Sequence, residues 1–160
     1  MTLAQFNELW GSDYYPPDSV VESDLRRVEQ HLDLRLPDDY RQAVLAVGLP
    51  RPTIALLDAI VERKLDLHDV SNFYSPQEII GETNGWHEIG MPEKLIAFAS
   101  DCSGNKFCFH SDRLKIGGAE ASAIWFYDHD FETVIQIAPS FNGWIAKFCQ
   151  VEPLDETGVT

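Results

Sequence analysis

Apolar residues recur every three to four positions through the first half of the chain. Leu25, Val28 and Leu32 stand at i, i+3 and i+7, which places all three on one face of an α-helix. The run SPQE at residues 75–78 is a helix start signal, and the Asn-Gly pair at 84–85 predicts where that helix ends. The predicted helices are centred on Phe6, Val28, Tyr40, Leu57, Ile79 and, near the end of the chain, Trp144.

From residue 94 the pattern changes to short runs of β-branched and aromatic residues separated by turn residues. Side chains alternate between the two faces of a strand, so Phe107 and Phe109 are expected on one face and Cys108 on the other. The predicted strands are LIAFA at 95–99, NKFCFH at 105–110, AIWFY at 123–127 and TVIQIA at 133–138.

Helices first and a meander of strands second predict an α+β fold. The expected architecture is an antiparallel, or partly mixed, sheet of about four or more strands packed against N-terminal helices and a C-terminal helix. Residues 1–150 are predicted to form one domain and residues 151–160 a loose C-terminal tail. The residues predicted to be buried are Tyr40, Leu45, Phe98, Phe107, Trp125 and Phe148.

Charge narrows the range of partners. The sequence has 12 Lys and Arg against 26 Asp and Glu, a net charge of −14. A field of this sign repels nucleic acids and anionic membrane surfaces. It favours a basic protein or a cation as the partner, and the alternative is that the charge serves only solubility. The most apolar helical stretch, residues 54–65, is broken by charged residues and cannot span a bilayer. An odd number of cysteines and the lack of an export signal predict a cytoplasmic protein.

Few residues suggest chemistry. The sequence has no phosphate-binding glycine motif and no close Cys/His pairs of the kind that bind zinc, so it predicts neither a cofactor nor a metal. The triplet Asp128, His129 and Asp130 suits a base or a metal ligand, but it also suits a hairpin turn, which we favour. A small hydrolase with Cys102 or Ser103 as nucleophile and His129 as base remains an alternative of a different class.

The turns between the predicted strands are rich in Asp, which suggests a surface for a protein partner. Asp101, Asp112, Asp128 and Asp130 would form a negative rim if their turns gathered at one end of the meander. Aromatic residues are frequent in the same half of the chain, and most are expected in the core. Any that stay exposed beside Asp128 or Asp130 would supply contact area to a protein partner.

Three segments of the chain resemble the SUKH superfamily, specifically its Smi/Knr-type domain. Residues 22–48 are similar to the family's opening helices, joined through Leu-Pro and an acidic-Tyr-Arg step, and residues 95–110 resemble its hairpin with an acid and Gly-Asn at the turn. Residues 123–145 resemble its last two strands, acidic turn and terminal helix. Together the segments cover most of residues 19–149, although Val-Gly at 47–48 replaces the family's usual Asn-Gly.

The resemblance implies a non-enzymatic domain that works by binding protein. Bacterial members are often immunity proteins that bind and block a toxin inside the producing cell, and a basic toxin such as a nuclease would suit the charge. An intracellular regulator or scaffold is the alternative within the family. The candidate partner-binding residues are Asp101, Ser103, Asn105, Asp128, His129 and Asp130.

Overall fold

A computed structural model describes residues 2–155, in which seven α-helices, one short 3-10 helix and five β-strands alternate irregularly along the chain. The α-helices are α1 (Thr2–Trp10), α2 (Glu22–Leu32), α3 (Asp38–Val47), α4 (Ile54–Glu62), α5 (Pro76–Glu88), α6 (Ser111–Ile116) and α7 (Phe141–Cys149). The 3-10 helix is η1 (Gly118–Ser122). The strands are β1 (Asn72–Phe73), β2 (Leu95–Ser100), β3 (Lys106–His110), β4 (Ile124–Asp128) and β5 (Thr133–Ala138).

The strands form one antiparallel sheet in the order β1-β2-β3-β4-β5. The prediction of an α+β fold, with N-terminal helices and a C-terminal helix around an antiparallel sheet, is therefore confirmed. All four predicted strands are present. The sequence pattern missed β1, which contributes only two residues to the edge beside β2. The sequence pattern also missed α6, which lies in the connection between β3 and β4.

Helix α5 begins where the sequence predicts and ends later. Ser75 Oγ accepts a hydrogen bond from the Glu78 N–H, and the Ser75 N–H donates to Glu78 Oε1, which closes a capping box. The predicted end at residues 84–85 is wrong, because the helix continues to Glu88. Contacts with the sheet hold the last turn in place: His87 Nε2 lies 2.8 Å from the carbonyl oxygen of Leu95.

The centre of the sheet, at β2 and β3, is buried on both faces. Every residue of β2 is buried, which explains why its sequence lacks the alternation of a half-exposed strand. On one face, Thr83 of α5 exchanges hydrogen bonds with the backbone of Ala97. On the other, Phe98 packs against Tyr40 of α3 and Trp144 of α7. Helices on both sides therefore exclude water from the centre of the sheet.

The predicted core is mostly confirmed. Tyr40, Phe98, Phe107 and Phe148 are buried, whereas Trp125 is only half-buried. The prediction for Leu45 is wrong: its exposed fraction is 37%. Helix α3 turns Tyr40, Ala43 and Val44 to the core, and Leu45 comes one residue, or about 100°, past that face.

The end of the described chain is held in place. Val151 is buried, and the Arg63 guanidinium donates to the carbonyl oxygens of Glu152 and Pro153. The rest of the predicted tail, residues 156–160, lies outside the described residues. None of the helices within residues 2–155 is long and apolar enough to cross a membrane.

Candidate protein-binding site

Two of the predicted acidic turns meet at one end of the sheet. Residues 101–105 connect β2 to β3 and residues 129–132 connect β4 to β5. Connections of an antiparallel meander alternate between its two ends, so these two share an end and the connection after β3 lies at the other. The site called here the acidic end consists of residues 101–105 and 128–132. The expectation that Asp112 joins this rim is wrong, because Asp112 follows β3 at the opposite end of the sheet.

Asp101 organises the first of these turns. Its Oδ1 accepts hydrogen bonds from the backbone N–H groups of Ser103 and Asn105, both at 2.9 Å. Its Oδ2 accepts from Asn105 Nδ2 at 3.1 Å. Gly104 takes a φ of 85°, in the left-handed region that suits glycine. Asp101 is buried, so its carboxylate stabilises the turn and contributes little exposed surface to a partner.

Asn105 joins the two turns. Its Oδ1 accepts a hydrogen bond from the backbone N–H of His129 at 3.2 Å and lies 2.7 Å from His129 Nδ1. Because Asn105 Nδ2 already donates to Asp101, its Oδ1 is the acceptor and His129 Nδ1 is the donor. The imidazole Nε2 lies 3.4 Å from Asp130 Oδ1. A chain of hydrogen bonds therefore runs from Asp101 through Asn105 to His129.

The second turn presents acidic and aromatic side chains to solvent. Asp128 Oδ1 accepts hydrogen bonds from the backbone N–H groups of Asp130 and Phe131, at 2.9 and 3.2 Å. This carboxylate performs the turn role predicted for it. Phe131 is 79% exposed and stands between the exposed residues Asp130 and Glu132. A large apolar side chain between carboxylates is typical of a protein-binding anchor.

A buried lysine lies beneath the acidic end. Lys106 is only 5% exposed, and its Nζ donates to the Tyr74 hydroxyl at 2.6 Å. The ammonium lies 4.8 Å from the ring centroid of Trp86 and 3.7 Å from Glu82 Oε2. The Trp86 ring in turn packs edge-on against His129, with centroids 5.5 Å apart. These contacts fix α5 against the turn that carries His129.

Sequence reasoning missed Lys106 and Glu82 as parts of the site. Alternation along the strand gave no sign that a lysine beside Phe107 would be buried, because the groups that surround it come from α5 and from the segment after β1. Trp86 is half-buried. The one available signal was a lysine inside an otherwise apolar strand, which calls for an aromatic or acidic partner.

The structure does not place His129 as a base beside the predicted alternative nucleophiles. Within residues 2–155, neither Cys102 nor Ser103 is hydrogen-bonded to His129, whose ring nitrogens face Asn105 and Asp130. Partial burial, and after it the hydrogen bond with Asp69, raises the pKa of the Cys102 thiol above its ordinary value. A thiol with a raised pKa stays protonated at neutral pH and is a weak nucleophile.

The acidic end also has no grouping suited to a metal. No set of three or more His, Cys, Asp and Glu side chains in the described part of the chain converges as ion ligands would. The carboxylates of Asp101 and Asp128 are taken up by backbone N–H groups of their own turns. What remains is a hydrogen-bonded platform with an exposed aromatic and acidic surface.

An antiparallel meander between helices, ending in such a platform, defines an α+β domain suited to binding. The model of the SMI1 / KNR4 family (SUKH-1) matches residues 20–147, and the chain belongs to this family. Membership is consistent with a non-enzymatic immunity or regulatory role. No curated protein matches the sequence.

Proposed function

We propose that this chain is an immunity protein that binds a bacterial toxin inside the producing cell and neutralises it without catalysis. The observation that carries the proposal is the exposure of Phe131 between Asp130 and Glu132 at the acidic end. The family supports an immunity or regulatory role, and the net charge of −14 favours a basic partner such as a nuclease toxin.

The residues of the acidic end have different roles in binding. Asp128, Asp130 and Glu132 attract the basic partner, and Phe131 supplies the contact area that slows its release. Asp101 and Asn105 are buried and act by holding the turns together. Ser103 is exposed on the neighbouring loop, where it is available for a hydrogen bond across the interface.

Growth of cells that express a toxin encoded beside this gene tests the proposal. Co-expression of the wild-type chain should restore growth, and the purified proteins should form a complex. The alternative within the family, a regulator or scaffold, requires that the chain bind a cellular protein and rescue growth from no toxin. Killing by every neighbouring toxin candidate, unchanged by this chain, would overturn the immunity role.

Association kinetics test the surface separately. The double variant Asp128→Asn and Asp130→Asn keeps the oxygen that caps the turn but removes two charges, so folding should survive. Association should slow and its salt dependence should flatten, because charge steering acts over about 8 Å at about 0.15 M salt. A matched control, Asp13→Asn with Asp58→Asn, removes two exposed charges elsewhere and should leave the rate near the wild-type value.

Truncation of the aromatic anchor should act on dissociation instead. Phe131→Ala should release the partner about tenfold faster or more, which corresponds to a loss of about 1.4 kcal/mol or more. Tyr14→Ala removes another exposed ring from a different element and serves as the control. Unchanged kinetics in both the charge variant and Phe131→Ala would remove the acidic end from the interface.

A further inference from the structure

Strand β5 is the long open edge of the sheet. It pairs with β4, and within residues 2–155 its outer side makes no backbone hydrogen bond. Residues 133–136 keep a regular register with β4, and the one register shift comes after them. The opposite edge, β1, has only two residues. Among the described residues, β5 is therefore the longer of the two edge strands of the sheet.

The sequence of β5 lacks the usual protection of an edge. Natural edges carry lysine, proline or inward-pointing charges that prevent another strand from pairing with them. TVIQIA, the sequence of β5, contains no charged residue, proline or glycine. Its central side chain, Ile135, is 56% exposed. An uncharged, β-branched and exposed edge is the kind that accepts an added strand.

A pocket adjoins this edge. A cavity of about 200 Å³ is walled by Ile135 of β5, Leu67, Phe107 and Trp144, with Asp66 also lining it. A strand added to a sheet points every second side chain to the same face. One apolar side chain of an added strand could therefore enter this pocket while the backbone pairs with β5. Main-chain bonds would supply affinity, and the pocket would supply specificity.

Charges around the edge favour one occupant. Asp130 and Glu132 immediately precede β5. The pocket is lined by one residue of each charge, Asp66 and Lys147, and Lys147 also donates to the carbonyl oxygen of Ile137. A second copy of this chain would bring another net charge of −14 to the interface. A basic segment would instead meet the carboxylates of Asp130 and Glu132 at the beginning of the strand.

We propose that β5 is the docking strand of this chain, to which an extended segment of a basic protein adds as a sixth strand. One apolar side chain of that segment fills the pocket beside Ile135, and its Arg or Lys residues lie near Asp130 and Glu132. The partner's identity as a toxin rests on the proposed function, whereas the docking mode rests on the edge itself.

Defined peptides test the docking mode without a toxin. The probes are peptides of about nine residues that alternate Arg or Lys with Phe, Leu, Tyr or Val, added to the ¹⁵N-labelled full chain. Binding should slow exchange of alternate amide hydrogens in β5 and produce contacts between peptide and β5 backbone protons. N-methylation of every second peptide amide should abolish binding in one phase and be tolerated in the other, because only one phase faces β5.

A pair of matched variants locates the contact. Ile135→Arg places a charge at the pocket and should weaken peptide binding about tenfold or more. Ile54→Arg makes the same change at another exposed isoleucine, 68% exposed on α4, and should leave binding unchanged. Ile135→Thr, a milder change suited to a strand, should weaken binding by a smaller factor and covers the case in which Ile135→Arg does not fold.

The outcomes separate this proposal from the toxin hypothesis. Peptides that fail to bind at millimolar concentration, or that perturb α4 in place of β5, overturn the docking strand. Self-association that already protects the β5 amides assigns the edge to a second copy and also overturns it. If Ile135→Arg neutralises a toxin as well as the wild type does, docking at β5 is wrong and the immunity function stands. If no toxin is neutralised but peptides bind β5, the immunity function is wrong and the docking strand stands.

Discussion

Asn105 is the residue on which the geometry of the acidic end depends most. It is buried and satisfies hydrogen bonds from two turns. Asn105→Ala would leave Asp101 Oδ2 and the His129 N–H without these partners, so we expect a loss of about 1–3 kcal/mol in the free energy of unfolding, measured with urea. Asn84→Ala, at an exposed helical position, should change stability by less than about 0.5 kcal/mol. Equal effects of the two substitutions would contradict the bridging role.

His110 links stability to pH at the other end of the sheet. Its Nδ1 accepts the Asp112 N–H at the start of α6, which a protonated nitrogen cannot do. Partial burial lowers the pKa of His110; Lys94 and Arg113 lower it further, and Asp112 opposes them. The unfolded chain therefore binds the proton more readily, so this contribution to stability is complete above the ordinary histidine pKa and is lost as pH falls below it.

We expect the urea midpoint to decrease between about pH 7.5 and about pH 5.5. His110→Asn keeps an acceptor at the start of α6 but cannot be protonated, so the decrease should be smaller in this variant. His31→Asn, at an exposed position of α2, is the control and should leave the pH dependence unchanged. A decrease in His110→Asn as large as in the wild type would show that another group is responsible.

At the level of single residues, the sequence predicts the local role of a side chain better than the burial and contacts of that side chain. The turn role of Asp128 follows from its short carboxylate and its place after an apolar strand, and the structure agrees. The burial of Lys106 could not be predicted, because Tyr74 and Glu82 reach it through pairing of distant strands and packing of α5. The prediction for Leu45 was wrong for a local reason, since one residue along a helix, a rotation of about 100°, separates a buried position from an exposed one.

Helix α5 shows how a local signal sets the start of an element. The Ser75 and Glu78 side chains satisfy each other's backbone N–H groups. Ser75→Ala should therefore reduce the free energy of unfolding by about 1 kcal/mol, measured by chemical denaturation. Ser23 is an exposed residue in the first turn of α2. Ser23→Ala should leave the free energy of unfolding unchanged or raise it slightly, because alanine favours a helix. A neutral Ser75→Ala would mean that packing on the sheet alone determines where α5 begins.

Element ends and short elements depend on packing more than on sequence. The Asn-Gly pair within α5 would end an isolated helix, but contacts of Trp86 with Lys106 and of His87 with Leu95 support another turn. Strand β1 has too few residues for any periodicity, and it exists because Phe73 pairs with Ala99. The four long strands were predicted correctly because turn residues separate their apolar runs.

At the scale of the whole molecule, strand connectivity decides which predicted residues meet. Once the strands form an antiparallel meander, the turns after β2 and β4 share an end and the connection after β3 does not. The sequence could therefore have predicted that the turns of Asp101 and Asp128 share an end of the sheet and that Asp112 lies at the other. The open edge at β5 could not be predicted from the sequence, because the prediction requires that β1 be known to join the sheet on the opposite side.

The net charge of the chain predicts how its melting temperature depends on salt. With a net charge of −14, repulsion between carboxylates opposes folding, and the ion pairs that could offset it are mostly on the surface, where each contributes little. Salt shortens the Debye length from about 30 Å at about 0.01 M to about 8 Å at about 0.15 M, which screens the long-range repulsion more than the close pairs. The melting temperature should therefore rise with NaCl over this range.

A gain of about 1 kcal/mol would raise the melting temperature by about 2–4 °C in a chain of this size. A variant with amides in place of five exposed acids, Glu8, Asp13, Asp58, Glu62 and Glu88, tests the cause. Because its self-repulsion is weaker, it should melt higher than the wild type at low salt and respond less to NaCl. KCl should act as NaCl does, since screening depends on ionic strength and not on the cation. A melting temperature that stays constant or falls with salt would mean that attractive pairs outweigh the repulsion among the carboxylates.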